Sequence, residues 1–556
     1  MANTNHTQNQ QQLDQCGLIH ERRSAHYKPN IWSYDFVQSL TTKFSGKTYE
    51  DQVEKLKSRF MQYLSCVPES SKPYIVENIR KLGLANMFHM EIKLVLDSIF
   101  FNLNNNNNAG RFEEDDDDML ATIALQFRLL RHYGYSVSYD VFVDYIDKVN
   151  LLLKQTPYSK RNSRGILELF EASHLAVEED EELMMIKAKA FSYHASHDQL
   201  PCHWKTMWFD VRQQIHAYEV DDNHNNILLE LARLNFNIVQ AIHLQDLKEM
   251  SRWWKSLGLI ENISFTRDRL VESFLWTVGV ACESQHSLLR KCLTKVVLFV
   301  LVLDDAYDIY GSFEELEYFT KIVERWNYGD QDGEQLPDCL KLCFEALATT
   351  CHQIAFDILN EKGWNYDIVI DFLKMAWADF CKALLQEAWW YKKRHIPSLE
   401  DYLKCAWITS SGSLLSLIAF LCTADGKSED LKNKWEDSQH LIYYTSLVIR
   451  LLNDQGTSDA EFERGDAYSS ILCYMEEENV AEAIARKHIK EMIVSAWSKI
   501  NMELLRASSE QQAFVNLVIN TARVCHFIYQ KGDGFSVQDG HTKNKIKLLL
   551  IQPIQL

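Results

Sequence analysis

Proline and glycine are scarce, at 8 and 19 residues among 556, where the two together usually make up about 12% of a chain. Their scarcity removes most of the turn chemistry that strands and tight hairpins need, which disfavours all-β and doubly wound folds and favours a mostly helical protein. Paired CxxC spacings are missing as well. The thirteen cysteines are scattered and read as reduced thiols, mostly in the core. Cys339 and Cys343 lie one helical turn apart, but no Cys/His pair at zinc-site spacing accompanies them, so no structural zinc is expected. Basic charge is short too: 58 Lys and Arg against 77 Asp and Glu leave a net charge of −19. That balance opposes nucleic acid and anionic membranes as partners, so an anionic ligand has to be met locally. The one long apolar run, Val296–Leu303, is eight residues, far below the ~20 of a membrane span. Residues 1–21 contain no Lys, Arg or Ser and no apolar core, unlike a secretory signal or a transit peptide. A cytoplasmic location is expected, or a plastid one if a targeting segment has been trimmed away.

What is present suits large helical cores. Hydrophobic residues make up 46% of the chain, with 27 Phe, 24 Tyr and 14 Trp, and the length exceeds one ordinary core. Leu120, Ile123, Phe127 and Leu130 recur at helical spacing, with Asp118 near the start and Gly134 as a stop. The asparagine tract at 104–108 and the acidic run at 113–118 mark a solvated loop. The run at 115–118 contains DxDD, but a string of hydrated acids is not the buried, protonated carboxylic acid that alkene protonation requires, and it receives no catalytic role. The polar break DDNHNN at 221–226 is the expected boundary. A disordered terminus over 1–21, an N-terminal domain over 22–222 and a C-terminal domain over 223–556 follow, each domain a helical bundle.

The most informative segment is LTKVVLFVLVLDDAYDIYG, residues 293–311. Its apolar run predicts a helix buried on all sides, after which Asp304, Asp305 and Asp308 arrive with no lysine or arginine beside them. Asp304 and Asp308 share one helix face, and two buried carboxylates there cost several kcal/mol each unless a cation joins them. A solvated acidic helix start would carry the same letters; the buried flank favours Mg²⁺ or Mn²⁺. In LVIRLLNDQGTSDAEFERGD, residues 447–466, Asn453, Thr457 and Glu461 fall at i, i+4 and i+8. They form either a second oxygen-bearing stripe for metal or a helix end softening into a polar loop, as Gly456 would allow. Two hard-cation sites on facing helices would suit a diphosphate. Arg267, Arg269 and Arg450 are candidate phosphate donors, against the alternative of surface arginines.

These residues carry a resemblance. DDAYD at 304–308, the NDxxTxxxE form at 453–461, RDR at 267–269 and RRSAHYKPNIW at 22–32, with SRWWKSLGL, HIPSLEDYL and the terminal GDGF, resemble plant class I terpene synthases of the angiosperm b-type subfamily. Shared stretches such as NFNIVQAIHLQDLKEMSRWW are similar to α-farnesene, ocimene and linalool/nerolidol synthases. The resemblance covers about residue 22 to the C-terminus. It implies an all-α fold of two helical domains, an N-terminal α-barrel-like relic domain and a C-terminal class I terpenoid synthase α-bundle.

It further implies that Asp304 and Asp308 bind two of three Mg²⁺ ions, with Asp305 counted among the metal residues as the one orienting the cluster. Asn453, Thr457 and Glu461 would hold the third, and Arg267 and Arg450 would clamp the departing diphosphate. Trp276 and Phe535 would line the pocket and steady an allylic carbocation, cation–π attraction being worth roughly 0.5–2 kcal/mol each. Arg22, Arg23 and Trp32 would belong to a segment that folds over the mouth and excludes water. Where many relatives have a lysine after RGD, this chain has Ser469, and K⁺ is a candidate occupant of the gap. The expected reaction is Mg²⁺-dependent ionisation of farnesyl diphosphate to an acyclic sesquiterpene such as α-farnesene. The alternative is a monoterpene synthase using geranyl diphosphate. A chain-elongating prenyltransferase should carry two aspartate-rich motifs, and a non-catalytic binding protein need not keep the metal residues. The chain is expected to act as a monomer with a small prenyl diphosphate as its partner.

Overall fold

The structure, a computed structural model, describes residues 27–105, 116–142, 164–180, 200–328, 336–424, 431–464, 468–535, 538 and 540–556; within helices, the side chains at 104–105, 116–117 and 459–464 are not described. Arg22, Arg23, the terminus over 1–21 and the first half of the acidic run, 113–115, lie outside these residues. Helices and their short 3₁₀ and π variants are the regular elements found among the described residues, and none is a strand. The shortage of turn residues is thus matched by an all-α chain.

In the N-terminal part, α1 (Lys72–Lys81), α2 (Asp116–His132) and α3 (Arg164–Ser173) pack together. Their charged groups are buried with them. Glu77 on α1 accepts from Arg80 at 2.7 Å and from Arg128 of α2 at 3.0 Å, and Arg128 also donates to Glu168 of α3 at 3.0 Å. Burial alone would raise the Glu77 carboxyl, but Arg128 and Arg80 outweigh it and hold the group down at about 2. Helix α4 (Met207–Glu219) ends just before the DDNHNN break. Asn225 then caps α5 (Asn226–Ser256), accepting from the amides of Ile227 and Leu228 at 3.0 Å each.

The C-terminal bundle contains α6 (Leu270–Val280), α7 (Ser287–Asp305), α8 (Tyr366–Lys393), α9 (Leu399–Thr409), α10 (Gly412–Thr423), α11 (Gln439–Arg464), α12 (Glu482–Arg506) and α13 (Gln512–Tyr529). Every residue of α6 is buried, as its apolar sequence requires, and it packs against α7 and α13; α11 packs against α9, α10, α12 and α13. The stretch 399–423 has the length and mean hydropathy (1.7) of a membrane-crossing helix, but 78% of its most apolar window is buried in the protein. It is also two helices: Ser411, at φ +64° and ψ −1°, breaks them in the left-handed region.

The two parts are joined by an aromatic stack. Trp204 lies face to face with Trp497 (5.7 Å) and His526 (5.0 Å), while Trp497 Nε1 donates to His526 Nε2 at 3.0 Å. His526 must stay neutral to accept that bond, and burial pushes it down to about 3 from the ordinary 6.5. Folding therefore excludes a proton that the unfolded histidine takes up, so the penalty grows as pH falls from about 6.5 toward 3. From pH 7 to pH 5 this one residue should remove about 2 kcal/mol of stability. Thermal midpoints of the wild type and His526→Gln, whose amide oxygen can still accept from Trp497, check this. The variant should show a shallower slope over that window, and parallel curves would exclude the assignment.

Candidate active site

The loop before α6, the C-terminal ends of α7, α9 and α13, the start of α10 and the middle of α11 surround one hollow in the C-terminal bundle. It encloses about 1110 Å³ of empty space with its mouth included. Asp304 is the penultimate residue of α7, and Asp308 follows on a single wide π turn, Ala306–Tyr310. A π turn keeps residues four apart nearly aligned, so both carboxylates line the hollow. Asn453 and Thr457, one turn apart on α11, line the same hollow. Two oxygen clusters distant in sequence thus share one cavity. Glu461 belongs to α11, but its side chain lies outside the described residues.

Asp305, grouped with the metal residues from the sequence, is a correction. One step along a helix turns a side chain by ~100°, and Asp305 faces inward, 1% exposed and off the cavity wall. Its Oδ2 accepts from the Arg267 amide at 3.0 Å and the Thr266 hydroxyl at 3.1 Å, and its Oδ1 lies 3.3 Å from Arg267 Nε. Burial raises its carboxyl to about 6 despite Arg267. It orients Arg267 rather than facing a ligand.

The arginines divide similarly. Arg267 lines the hollow and its Nη2 donates to Asp304. Arg450, one turn before Asn453, donates to Asn453 Oδ1 and Thr409 Oγ1, each at 3.0 Å, and to the Ala406 carbonyl at 3.3 Å. Arg269 is fully buried away from the hollow, so its reading as a phosphate donor is also corrected. It donates to the backbone carbonyls of Phe535 (2.9 Å), Asp268 (2.8 Å) and Lys28 (2.8 Å), binding the N-terminal and C-terminal segments to the loop between them. Trp32 belongs to the same seam: its indole N–H donates to Glu272 at 3.0 Å, and Gln538 donates to the same oxygen at 2.8 Å.

Trp276 of α6 and Phe535 after α13 supply aromatic wall, with Leu301, Leu415 and Ile449 among the aliphatic lining. Ser469 does not line the hollow. Its hydroxyl caps the helix Ser470–Glu478 by accepting from the Leu472 amide at 3.3 Å, and Tyr468 takes the wall position.

Several wall residues carried no sequence signal. Glu387 of α8 accepts from Thr409 at 2.7 Å, and burial lifts its carboxyl to about 6 against Arg450. Thr409, Ser410 and Ser411 line the hollow at the break between α9 and α10. Gly412 is required at that break, because a Cβ there would sit 2.3 Å from Ser446 Oγ. Asp533 is the aspartate of the GDGF segment itself and Tyr529 lies just before it; that motif was the signal that could have drawn attention to both.

The donor set fits hard divalent cations: carboxylate, amide and hydroxyl oxygens line the hollow, no histidine does, and burial keeps the one wall thiol, Cys525, protonated by pushing it up to about 12. Among the described residues, no three acidic, His or Cys side chains converge as a closed metal cage. An open arrangement is what Mg²⁺ prefers, since it takes one or two carboxylates and completes its shell with water and ligand phosphates.

The terpene synthase N-terminal domain model matches residues 31–216, and the terpene synthase metal-binding domain model matches residues 255–499. The alpha-farnesene synthase of Ricinus communis is 44% identical, over 97% of this chain and 97% of its own length. The crystal structure of limonene synthase with 2-fluorolinalyl diphosphate superposes with a TM-score of 0.88 at 32% identity, covering 96% of this chain and all of that one. The structure of isoprene synthase from grey poplar (Populus x canescens) with three Mg²⁺ ions and dimethylallyl-S-thiolodiphosphate gives a TM-score of 0.81 at 33% identity, covering 95% of this chain and 99% of that one.

Proposed function

The chain belongs to the terpene synthase family and is a lyase acting on prenyl diphosphates, and from that premise we propose that it ionises farnesyl diphosphate and releases an acyclic sesquiterpene of the α-farnesene type. The observation that carries the reading is the shared cavity: Asp304, Asp308, Asn453 and Thr457 line one hollow whose wall also carries Arg267 and Arg450 and, beside them, aromatic and aliphatic side chains. Similarity to an alpha-farnesene synthase along nearly the whole length supports the choice of product.

Asp304 and Asp308 would hold two Mg²⁺ ions, and Asn453, Thr457 and Glu461 a third. When bound, the metal supplies Lewis acidity that withdraws charge from the diphosphate. Arg267 and Arg450 present guanidinium edges to the same group, with Asp305 fixing the first and Thr409 the second. The allylic C–O bond breaks heterolytically, and the diphosphate departs with the electron pair. Trp276 and Phe535 offer π faces to the resulting carbocation and no nucleophile. The seam around Arg269 and Glu272 keeps water from the hollow. Loss of a proton from carbon next to the cation forms the new double bond, and the departing diphosphate is the nearest strong acceptor.

The test is direct. The purified full chain is incubated with Mg²⁺ and either farnesyl or geranyl diphosphate, and volatiles are identified by gas chromatography. An acyclic sesquiterpene from farnesyl diphosphate at the higher kcat/KM is expected. Preference for geranyl diphosphate overturns the substrate assignment, longer prenyl diphosphates formed on addition of isopentenyl diphosphate indicate chain elongation, and unreacted substrate indicates a binding protein. Because Ser469 brings no charge toward the diphosphate, we also expect several-fold faster turnover in potassium than in sodium buffer. Equal rates would remove K⁺ from the account.

A further inference from the structure

Tyr27 has no part in the functional reading above, yet it lines the hollow from the N-terminal segment. Its ring lies over the Arg267 guanidinium at 5.0 Å, and its buried hydroxyl lies in the field of the Asp305 and Asp304 carboxylates. Burial pushes the hydroxyl well above its usual range, so it remains a donor at any physiological pH. The backbone around it is fixed. The Lys28 carbonyl accepts from Arg269 at 2.8 Å, Asn30 donates to Asp268 at 2.8 Å, and Trp32 donates to Glu272 at 3.0 Å. Tyr27 is therefore held in place by its chain neighbours as well as by its own packing on Arg267.

An arginine side chain has many rotamers, and fixing it costs conformational entropy. In this site the cost is spread over three partners. Asp304 and Asp305 hold the edge of the Arg267 guanidinium, and Tyr27 covers its face. Without the ring, the plane of the guanidinium is free to rotate; without the hydroxyl, the acidic pair loses the polar group that the N-terminal segment brings nearest to it.

We propose that Tyr27 is a positioning residue of the ionisation site, holding Arg267 and Asp305 in register with Asp304 and Asp308, so that the N-terminal segment completes the diphosphate-binding wall and is more than a roof. The proposal deepens the terpene synthase reading and rests on it.

Three variants of the full chain separate the two roles. Tyr27→Phe keeps the ring and removes the hydroxyl, Tyr27→Leu removes both, and Trp32→Phe loosens the segment while leaving Tyr27 intact. Each is measured for kcat and KM, for affinity toward inorganic diphosphate with Mg²⁺ by calorimetry, and for the share of water-quenched alcohol in the product. Tyr27→Phe should lower kcat about 10-fold and Tyr27→Leu about 100-fold, at or below the ~10²-fold loss seen when a group that touches the reacting charge directly is removed. Both should weaken magnesium diphosphate about 5-fold or more, and Tyr27→Phe should leave the alcohol share unchanged. Trp32→Phe should raise the alcohol share and keep diphosphate affinity within about twofold. Wild-type kcat and diphosphate affinity in Tyr27→Phe overturn the proposal, as does an equal loss of diphosphate affinity in Trp32→Phe, which would make the segment a roof alone. A wild-type chain that turned over neither prenyl diphosphate would sink the functional reading instead, and the calorimetry would still read the contribution of Tyr27.

Discussion

Asp304→Asn and Asp308→Asn should each lower kcat by about 10³-fold or more, equivalent to roughly 4 kcal/mol of lost transition-state stabilisation, while leaving the fold intact. The substitution is isosteric and removes one negative charge from a hollow where the Asp304 side chain is still 35% exposed, so the folded state loses little. The chemistry loses much, because a neutral amide is a poor ligand for Mg²⁺ and the leaving group then loses part of the cationic charge that meets it. Asp305→Asn should behave differently. Its carboxylate accepts from a backbone amide and a hydroxyl in a buried site, so an amide nitrogen placed there faces donors and lowers thermal stability as well as rate. Steady-state kinetics with thermal melting distinguish the two patterns. Turnover within about 10-fold of wild type in Asp304→Asn would remove that residue from the metal site.

Arg450→Leu should cost both stability and rate. Asp454, 1% exposed, lies 3.5 Å from the Arg450 guanidinium, and Glu387 reaches the same group through Thr409. Removing the cation leaves two buried acids without their counter-charge, for which about 3–5 kcal/mol is the usual range. Tyr402 and the Ser470 amide still hold Asp454, so the chain should fold with a lowered midpoint. Arg450→Lys restores the charge but not the fork that reaches Asn453, Thr409 and the Ala406 carbonyl together. It should recover most of the stability and little of the kcat. A lysine variant with wild-type turnover would show that charge alone suffices at this position.

The sequence made some of this arrangement legible and hid the rest for physical reasons. An apolar run ending in acids reads as a buried metal site because burial without a cation is too costly, and Asp304 and Asp308 do line the hollow. The separation of Asp305 from them was available from helix geometry, since adjacent residues point about 100° apart. The separation of Arg267 from Arg269 was not. Both sit in the segment RDR before a helix, and only the approach of Lys28 and Phe535 carbonyls decides that Arg269 turns away. Glu387, Thr409 and Ser410 are single polar positions in helices that otherwise look ordinarily amphipathic, so nothing short of the tertiary contact with Arg450 and the hollow marks them. Tyr27 was legible as part of RRSAHYKPNIW, but its approach to Arg267 and Asp305 was not.

The missing side chain at Gly412 limits how this enzyme could diverge. The helix bearing Ser446 presses so closely against that position that any larger residue would force the two walls apart, taking Ser410, Ser411 and Arg450 out of register with the metal-binding side. New products are therefore more accessible through exchanges at Leu415, Ile449 or Cys525, which border the hollow without wedging the frame open. A lineage descended from this chain would be free to reshape its mould while the hinge line stays closed to mutation.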